Sequence, residues 1–404
     1  MKFWIRVSKA YILTKNMKPI LLILFAILIL GSSLFYIERP NPQREFAASV
    51  VDALSSRADT GEFARATKVR KFRFPDDAGP HTEFQTEWWY YTGNLNDEYG
   101  RPFGFQLTFF RRALTPNKKN RKSLWATNQV YFAHFTVSDI KDRAFFPSER
   151  WSRGAIGLAG ADAHPFRVWL EDWSAVAEGK EVRLRAKNNS AAIDLKLTPT
   201  KPVVLHGNQG LSQKSAEPGN ASYYYSQTRL DTSGTITIKG RGFRIQGFSW
   251  LDREWSTSSL IEEQSGWDWF SLQLSDNREI MLYQIRLRKG GIDPYSSGSL
   301  IESDGTVHTL TVEDFKIEVL DRWKSSITGT TYPSRWRINI PRYRITLTVV
   351  PHQPNQELPL TFVYWEGAVE VKGNNVSGNG YVELTGYARS PESEFGSDST
   401  AQRR

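Results

Sequence analysis

Almost every apolar run after Phe74 is short, aromatic or β-branched, and bounded by Gly, Pro, Asn or Asp; Phe103 to Phe110, Gln129 to Val137, Phe166 to Trp173 and Ile193 to Leu197 are examples. Flat rings and Cβ-branched side chains suit the pleated, half-buried surface of a strand. Short strands punctuated regularly by turn residues predict an all-β chain built as a sandwich or barrel. The hydrophobic fraction of 40% is ample for packed cores.

An internal repeat narrows this further. Trp88-Trp89-Tyr90-Tyr91, followed by Leu95 and Asp97, is echoed by Trp267-Asp268-Trp269-Phe270, followed by Leu274 and Asp276. An alternating strand comes next in both places, Phe103 to Arg111 and Ile280 to Arg288. Phe166 to Trp173 then matches Phe315 to Trp323, Ile193-Asp194-Leu195 matches Ile345-Thr346-Leu347, and Gly247-Phe248 matches Gly386-Tyr387. Collinear pairs in this number predict two β domains of like topology, 70–258 and 259–390, with 391–404 a polar tail. Inside the first, Gly207 to Asn220 is rich in Gly, Ser, Asn and Gln and reads as a long loop, either a lid or a connector.

The N-terminus has a different texture. Lys2, Arg6, Lys9, Lys15 and Lys18 supply five of the net charge of +9, with no acid before Glu38. An apolar run follows, and 19–37 has the length to span a bilayer. Cationic residues ahead of such a run predict a signal-anchor or transmembrane helix, with 1–18 in the cytoplasm and the body in the periplasm or outside. A cleaved, secreted form is the alternative. Residues 38–69 read as a linker with a short helix. With the N-terminal cations set aside the rest is near charge balance, and no basic helix or stacking motif is present, so no nucleic-acid partner is expected. There is no cysteine, so the body holds together without disulfides.

The stretch richest in candidate chemistry is Gly247-Phe248-Ser249-Trp250-Leu251-Asp252-Arg253-Glu254-Trp255. Read as a strand, it sets Trp250, Asp252 and Glu254 on one face and Leu251, Arg253 and Trp255 on the other. Two readings stay open. A carboxyl in an apolar pocket keeps its proton and can donate it; alternatively, Asp252, Arg253 and Glu254 form an ion-pair knot where the domains meet.

His81, Glu87 to Gly93, Tyr223-Tyr224-Tyr225-Ser226 and Trp250 to Trp255 together resemble the AttH and carotenoid 1,2-hydratase (CrtC) family, and Tyr364-Trp365-Glu366-Gly367 and Gly380 to Tyr387 fit its C-terminal end. The resemblance implies two tandem lipocalin-like β-barrel domains, an apolar ligand and a cleft near the domain junction. It also implies association with ABC transporter components. The hydratase branch adds water across a double bond with an aspartic acid as proton donor, and that position matches Asp252. Trp250 stands where that branch has Tyr, and its upstream His and Trp fall near Tyr223 and Tyr225.

The expected site therefore has Asp252 and Glu254 as catalytic carboxyls. Glu87, Trp89, Tyr91, Tyr223, Tyr225, Trp250, Trp267 and Trp269 are its expected ligand-binding residues. No cofactor is expected, and the six dispersed histidines lack metal-ligand spacing. A Gly-x-Ser-x-Gly elbow is also missing. Two functions follow: a membrane-anchored protein binding a hydrophobic small molecule or lipid beside a transport system, or a hydratase or cyclase acting on an unsaturated hydrophobic substrate.

Overall fold

The computed structural model describes residues 63–116, 123–257 and 260–388. Among these, helix is confined to two 3-10 turns, Asp76–Ala78 and Pro341–Tyr343. No helix among the described residues is long and apolar enough to cross a membrane. The expected membrane-spanning segment 19–37, the short helix of the linker and the polar tail lie outside the described residues.

Strands account for the rest. The first sheet comprises β1 (Thr86–Asp97), β2 (Pro102–Ala113), β3 (Gln129–Asp139), β4 (Ala144–Arg153), β5 (Ala159–Ala163), β6 (Phe166–Leu170), β7 (Trp173–Glu178), β8 (Glu181–Lys187), β9 (Ala191–Pro199), β10 (Val204–Leu205), β11 (Leu211–Gln213), β12 (Ala221–Ile238) and β13 (Arg241–Ser256). The second comprises β14 (Gln264–Leu274), β15 (Glu279–Leu287), β16 (Ser297–Ile301), β17 (Val307–Thr311), β18 (Lys316–Lys324), β19 (Thr331–Ile340), β20 (Ile345–Pro351), β21 (Glu357–Pro359), β22 (Val363–Gly373) and β23 (Val376–Leu384).

Both sheets are barrel-like, and both join their first strand to their last. The first runs β4-β3-β2-β1-β13-β12-β9-β8-β7-β6-β5, and the second runs β17-β16-β15-β14-β23-β22-β20-β19-β18. The order gives β1 and β14 the same role, and β13 and β23 the same role. Ile193 on β9 and Ile345 on β20 are thus equivalent, as the repeat proposed. Two other matches are displaced. Phe166 begins β6, whereas Phe315 precedes β18, whose place in the order is that of β7. Gly247 lies within β13, but Gly386 follows the end of β23.

Each barrel is filled by one face of its strands. Trp89, Tyr91, Phe105, Trp173 and Leu195 pack in the first, and Phe270, Leu272, Trp336, Ile338 and Trp365 in the second. The opposite faces of the central strands meet. Tyr90, Tyr224 and Trp250 pack against Trp269, Met281 and Tyr381 in a third apolar cluster between the sheets. Polar ties frame this contact: Glu279 is bonded by Arg229 (2.6 Å) and Lys201 (2.8 Å), and Asn94 donates to the Gly380 carbonyl (2.9 Å). Gly104 is required here, since a Cβ would stand 2.7 Å from Ala368 Cβ.

The segment Gly207 to Asn220 is more ordered than its composition predicts. It contains β11, paired with Ala221 to Tyr223, and the Lys214 carbonyl accepts from Gln264 (2.8 Å).

Candidate functional site

Alternation and register together build the site. On β13, Trp250, Asp252 and Glu254 face the second sheet, while Leu251 and Trp255 face packed apolar clusters. Antiparallel pairing sets Asp252 opposite Tyr90 on one side and Ser226 on the other, and sets Glu254 opposite Trp88 and Tyr224. From the second sheet come Trp267 and Trp269 on β14, Tyr283 on β15, Tyr364 on β22 and Glu383 on β23. They line a cavity of ≈ 80 Å³. A single water needs about 10–15 Å³ by that measure, so the space suits one ring or a branched alkene end.

Asp252 is the best-defended group in this cavity. It is 4% exposed, and its carboxyl is met by three uncharged donors. Trp250 Nε1 (2.6 Å) and the Ser226 hydroxyl donate to Oδ1, and the Tyr224 hydroxyl (2.5 Å) donates to Oδ2. Burial pushes Asp252 up to about 7; the hydrogen bonds from Ser226, Tyr224 and Trp250 oppose the shift, and the nearby Glu254 adds to it. Tyr224 in turn accepts from Trp269 Nε1 of the second sheet (3.1 Å). Ser226 is also bonded to His206 Nε2 (2.6 Å), whose Nδ1 reaches Ser299 of the second sheet (2.9 Å). Burial, with the Lys214 charge, holds His206 down at about 3, so the imidazole is neutral.

The other carboxyls differ in compensation. Glu254 is paired with Lys214 (3.3 Å), which lies over the Tyr283 ring at 4.0 Å. Glu383 accepts one bond, from Trp267 Nε1 (2.8 Å), and burial raises it to about 8, with Asp252 and Glu254 contributing. Behind it Glu366 is fully buried, and burial with the Glu383 charge pushes it well above the carboxylate range.

The expected residues separate into two groups. Asp252, Glu254, Trp250, Trp267 and Trp269 come together at the cavity or against its wall. Glu87, Trp89, Tyr91, Tyr223 and Tyr225 do not. Trp89 and Tyr91 fill the first barrel, and Tyr223 and Tyr225 pack with Phe72, Phe84 and Trp255 on the far face of β12. Glu87 belongs to a separate ion cluster. Its carboxylate binds Arg111 and Arg253 and accepts from the His81 amide at 3.0 Å and 3.1 Å. Burial would raise Glu87, but Arg111, Arg253 and His81 hold it far below the usual carboxylate range. The expected knot of Asp252, Arg253 and Glu254 does not form: Arg253 engages Glu87, Glu254 engages Lys214, and Asp252 has no ion-pair partner among the described residues.

Sequence reasoning missed Trp88, Tyr90, Tyr224, Ser226, His206, Lys214 and Glu383. The first four follow from Asp252 once the register is known, because a shift of one residue exchanges the faces of a strand. Glu383 was hidden by matching Gly247 to the segment after β23. Nothing in the pattern around His206 points to the cavity.

The arrangement sets a buried carboxyl with raised affinity for its proton beside aromatic rings, a combination that can form and stabilise a cation on carbon. Comparison with known proteins bears on the family and the fold. The profile of the AttH-like family matches residues 65–387. The crystal structure of a provisionally assigned AttH protein from Nitrosomonas europaea is similar, at 32% identity over 80% of this chain and 100% of that one, with a TM-score of 0.72. Kievitone hydratase from Nectria haematococca shares the fold at 14% identity, over 84% of this chain and 98% of that one, with a TM-score of 0.59. No curated protein matches the sequence at a significant level. By the extent of the profile match and the identity to the Nitrosomonas protein, the chain belongs to the AttH-like family.

Proposed function

We propose that the protein is a hydratase-type enzyme that protonates a carbon–carbon double bond of a compact, unsaturated hydrophobic substrate, with Asp252 as the acid. The observation that carries this reading is the setting of Asp252: a buried carboxyl raised to about 7 and met only by Tyr224, Ser226 and Trp250. Protonation breaks the O–H bond of Asp252 and forms C–H with the π electrons of the alkene. The cation left on the adjacent carbon faces the rings of Trp88, Tyr90 and Trp269. Water then forms the C–O bond and gives up a proton. The fold shared with kievitone hydratase supports this reaction class.

The test is turnover of a panel of branched alkenes by wild type and Asp252→Asn. We expect the variant to lose at least ~100-fold in kcat, the scale of a general acid, while remaining folded. A variant that turns over normally removes Asp252 from the chemistry, and one that unfolds makes it structural.

A second reading, a carrier of an apolar ligand or lipid beside an envelope transport system, is favoured by the aromatic walls of the cavity. It predicts a co-purifying ligand in native mass spectrometry and no turnover. Under either reading the basic and then apolar N-terminus supports tethering at 19–37 with the body outside the cytoplasm. Membrane fractionation with protease protection checks that placement.

A further inference from the structure

Three carboxyls line the cavity, but they are not equivalent. Glu254 carries its own counter-ion, Lys214. Asp252 and Glu383 have no cation bonded to them among the described residues, and they come from different sheets, β13 and β23. A purely structural buried carboxyl is normally saturated with donors or paired. Glu87 is an example in this same molecule, bound by two arginines and a backbone amide. Glu383 has one donor, Trp267, and is half-buried with its carboxyl at the cavity wall.

We infer that Glu383 is the second proton-transfer group of the site, taking the proton released by the water as it adds to the cation generated by Asp252. The inference rests on the proposed hydratase reading. Its proton balance closes: Asp252 loses one proton to carbon, water supplies hydroxide to the neighbouring carbon, and water's remaining proton passes to the Glu383 carboxylate. Because Glu383 is the stronger base, the reactive arrangement, with the proton on Asp252 and Glu383 ionised, is the less populated of the two one-proton states, and exchange with solvent repopulates it after each turnover. The difference in hydrogen bonding decides the roles. Three donors make Asp252 the stronger acid of the two, and a single donor leaves Glu383 the stronger base. This division also gives the second barrel a chemical role, because neither sheet alone supplies both groups.

The titratable groups facing Glu383 are Asp252 and Glu254 on β13, Lys214 just after β11, Tyr90 on β1, Tyr224 on β12, Tyr283 on β15, and Tyr364 and Glu366 on β22. The charge of Asp252 therefore contributes to the raised affinity of Glu383 for its proton.

The probe is prenylbenzene, a branched alkene on one ring. In Glu383→Gln we expect kcat to fall at least ~100-fold with KM little changed, and Glu383→Asp to recover part of it. The acid limb of the wild-type pH–rate profile should be missing in the Gln variant. Independently, carbon-13 NMR of labelled glutamate carboxyls should give Glu383 a midpoint near 8, displaced downward in Asp252→Asn. Wild-type kcat in a folded Glu383→Gln, or a Glu383 midpoint near 4.5 in both proteins, overturns the inference while leaving the role of Asp252 intact. Absence of any hydration by wild type overturns the reading on which it rests.

Discussion

Asp252 shows how the face of a strand can be read from sequence while the neighbours of a residue on it stay hidden. Its face of β13 follows from strict alternation, and the aromatic company was visible in Trp250. The partners Tyr224 and Ser226 required a register that no local pattern encodes, so the tyrosines chosen beforehand, Tyr223 and Tyr225, fall on the wrong side by one residue. The raised carboxyl also has a thermodynamic signature. Asp252 moves from an ordinary 3.8 up to about 7 on folding. Between those values the folded state binds more protons than the unfolded one, so this group makes the protein less stable as pH rises from about 4 to about 7. Above that window the full penalty persists. Urea unfolding across pH should therefore show a steeper loss of stability in wild type than in Asp252→Asn. Parallel curves would mean that the carboxyl titrates normally.

At the level of elements, the central strands of the first sheet hold two chemistries apart. One end of β1, β2 and β13 carries the cluster of Glu87, Arg111 and Arg253, and His81 stacks on Trp255 at 3.7 Å to complete it. These side chains share no face with Asp252. Separation matters because an arginine at the cavity would pull the Asp252 carboxyl down and leave it ionised. Glu87→Gln keeps the shape but leaves two buried guanidinium groups without a charge partner. Removing one member of a buried ion cluster costs about 3–5 kcal/mol. We expect denaturant unfolding to register a loss on that scale; a change under ~1 kcal/mol would show that the arginines find other partners. His81, Glu87, Arg253 and Trp255 stood out in the sequence, whereas Arg111 appeared only as the end of a strand. Their grouping was not visible, since Glu87 and Arg253 are distant along the chain and meet only because β1 pairs with β13.

On the scale of the whole molecule, two barrels each pack their own core and bury their remaining aromatic faces against one another. The repeat in the sequence revealed this duplication, because aromatic strands recur in a fixed order and each sheet must satisfy the same alternation. A cleft near the domain junction and the contribution of Trp267 and Trp269 were expected, but neither the outer-face location of the cavity nor Glu383 was. That knowledge depends on how two surfaces meet, which is set by shape, as at Gly104 against Ala368. The contact controls Asp252 directly, because Trp269 holds the Tyr224 hydroxyl that binds its carboxyl. The most direct test is a carbon-13 NMR titration of the Asp252 side-chain carboxyl in the intact protein, assigned with Asp252→Asn. A midpoint near 7 is expected for a carboxyl buried between the barrels. A midpoint near 3.8 would contradict it, making Asp252 an ordinary ionised carboxylate with no proton to give.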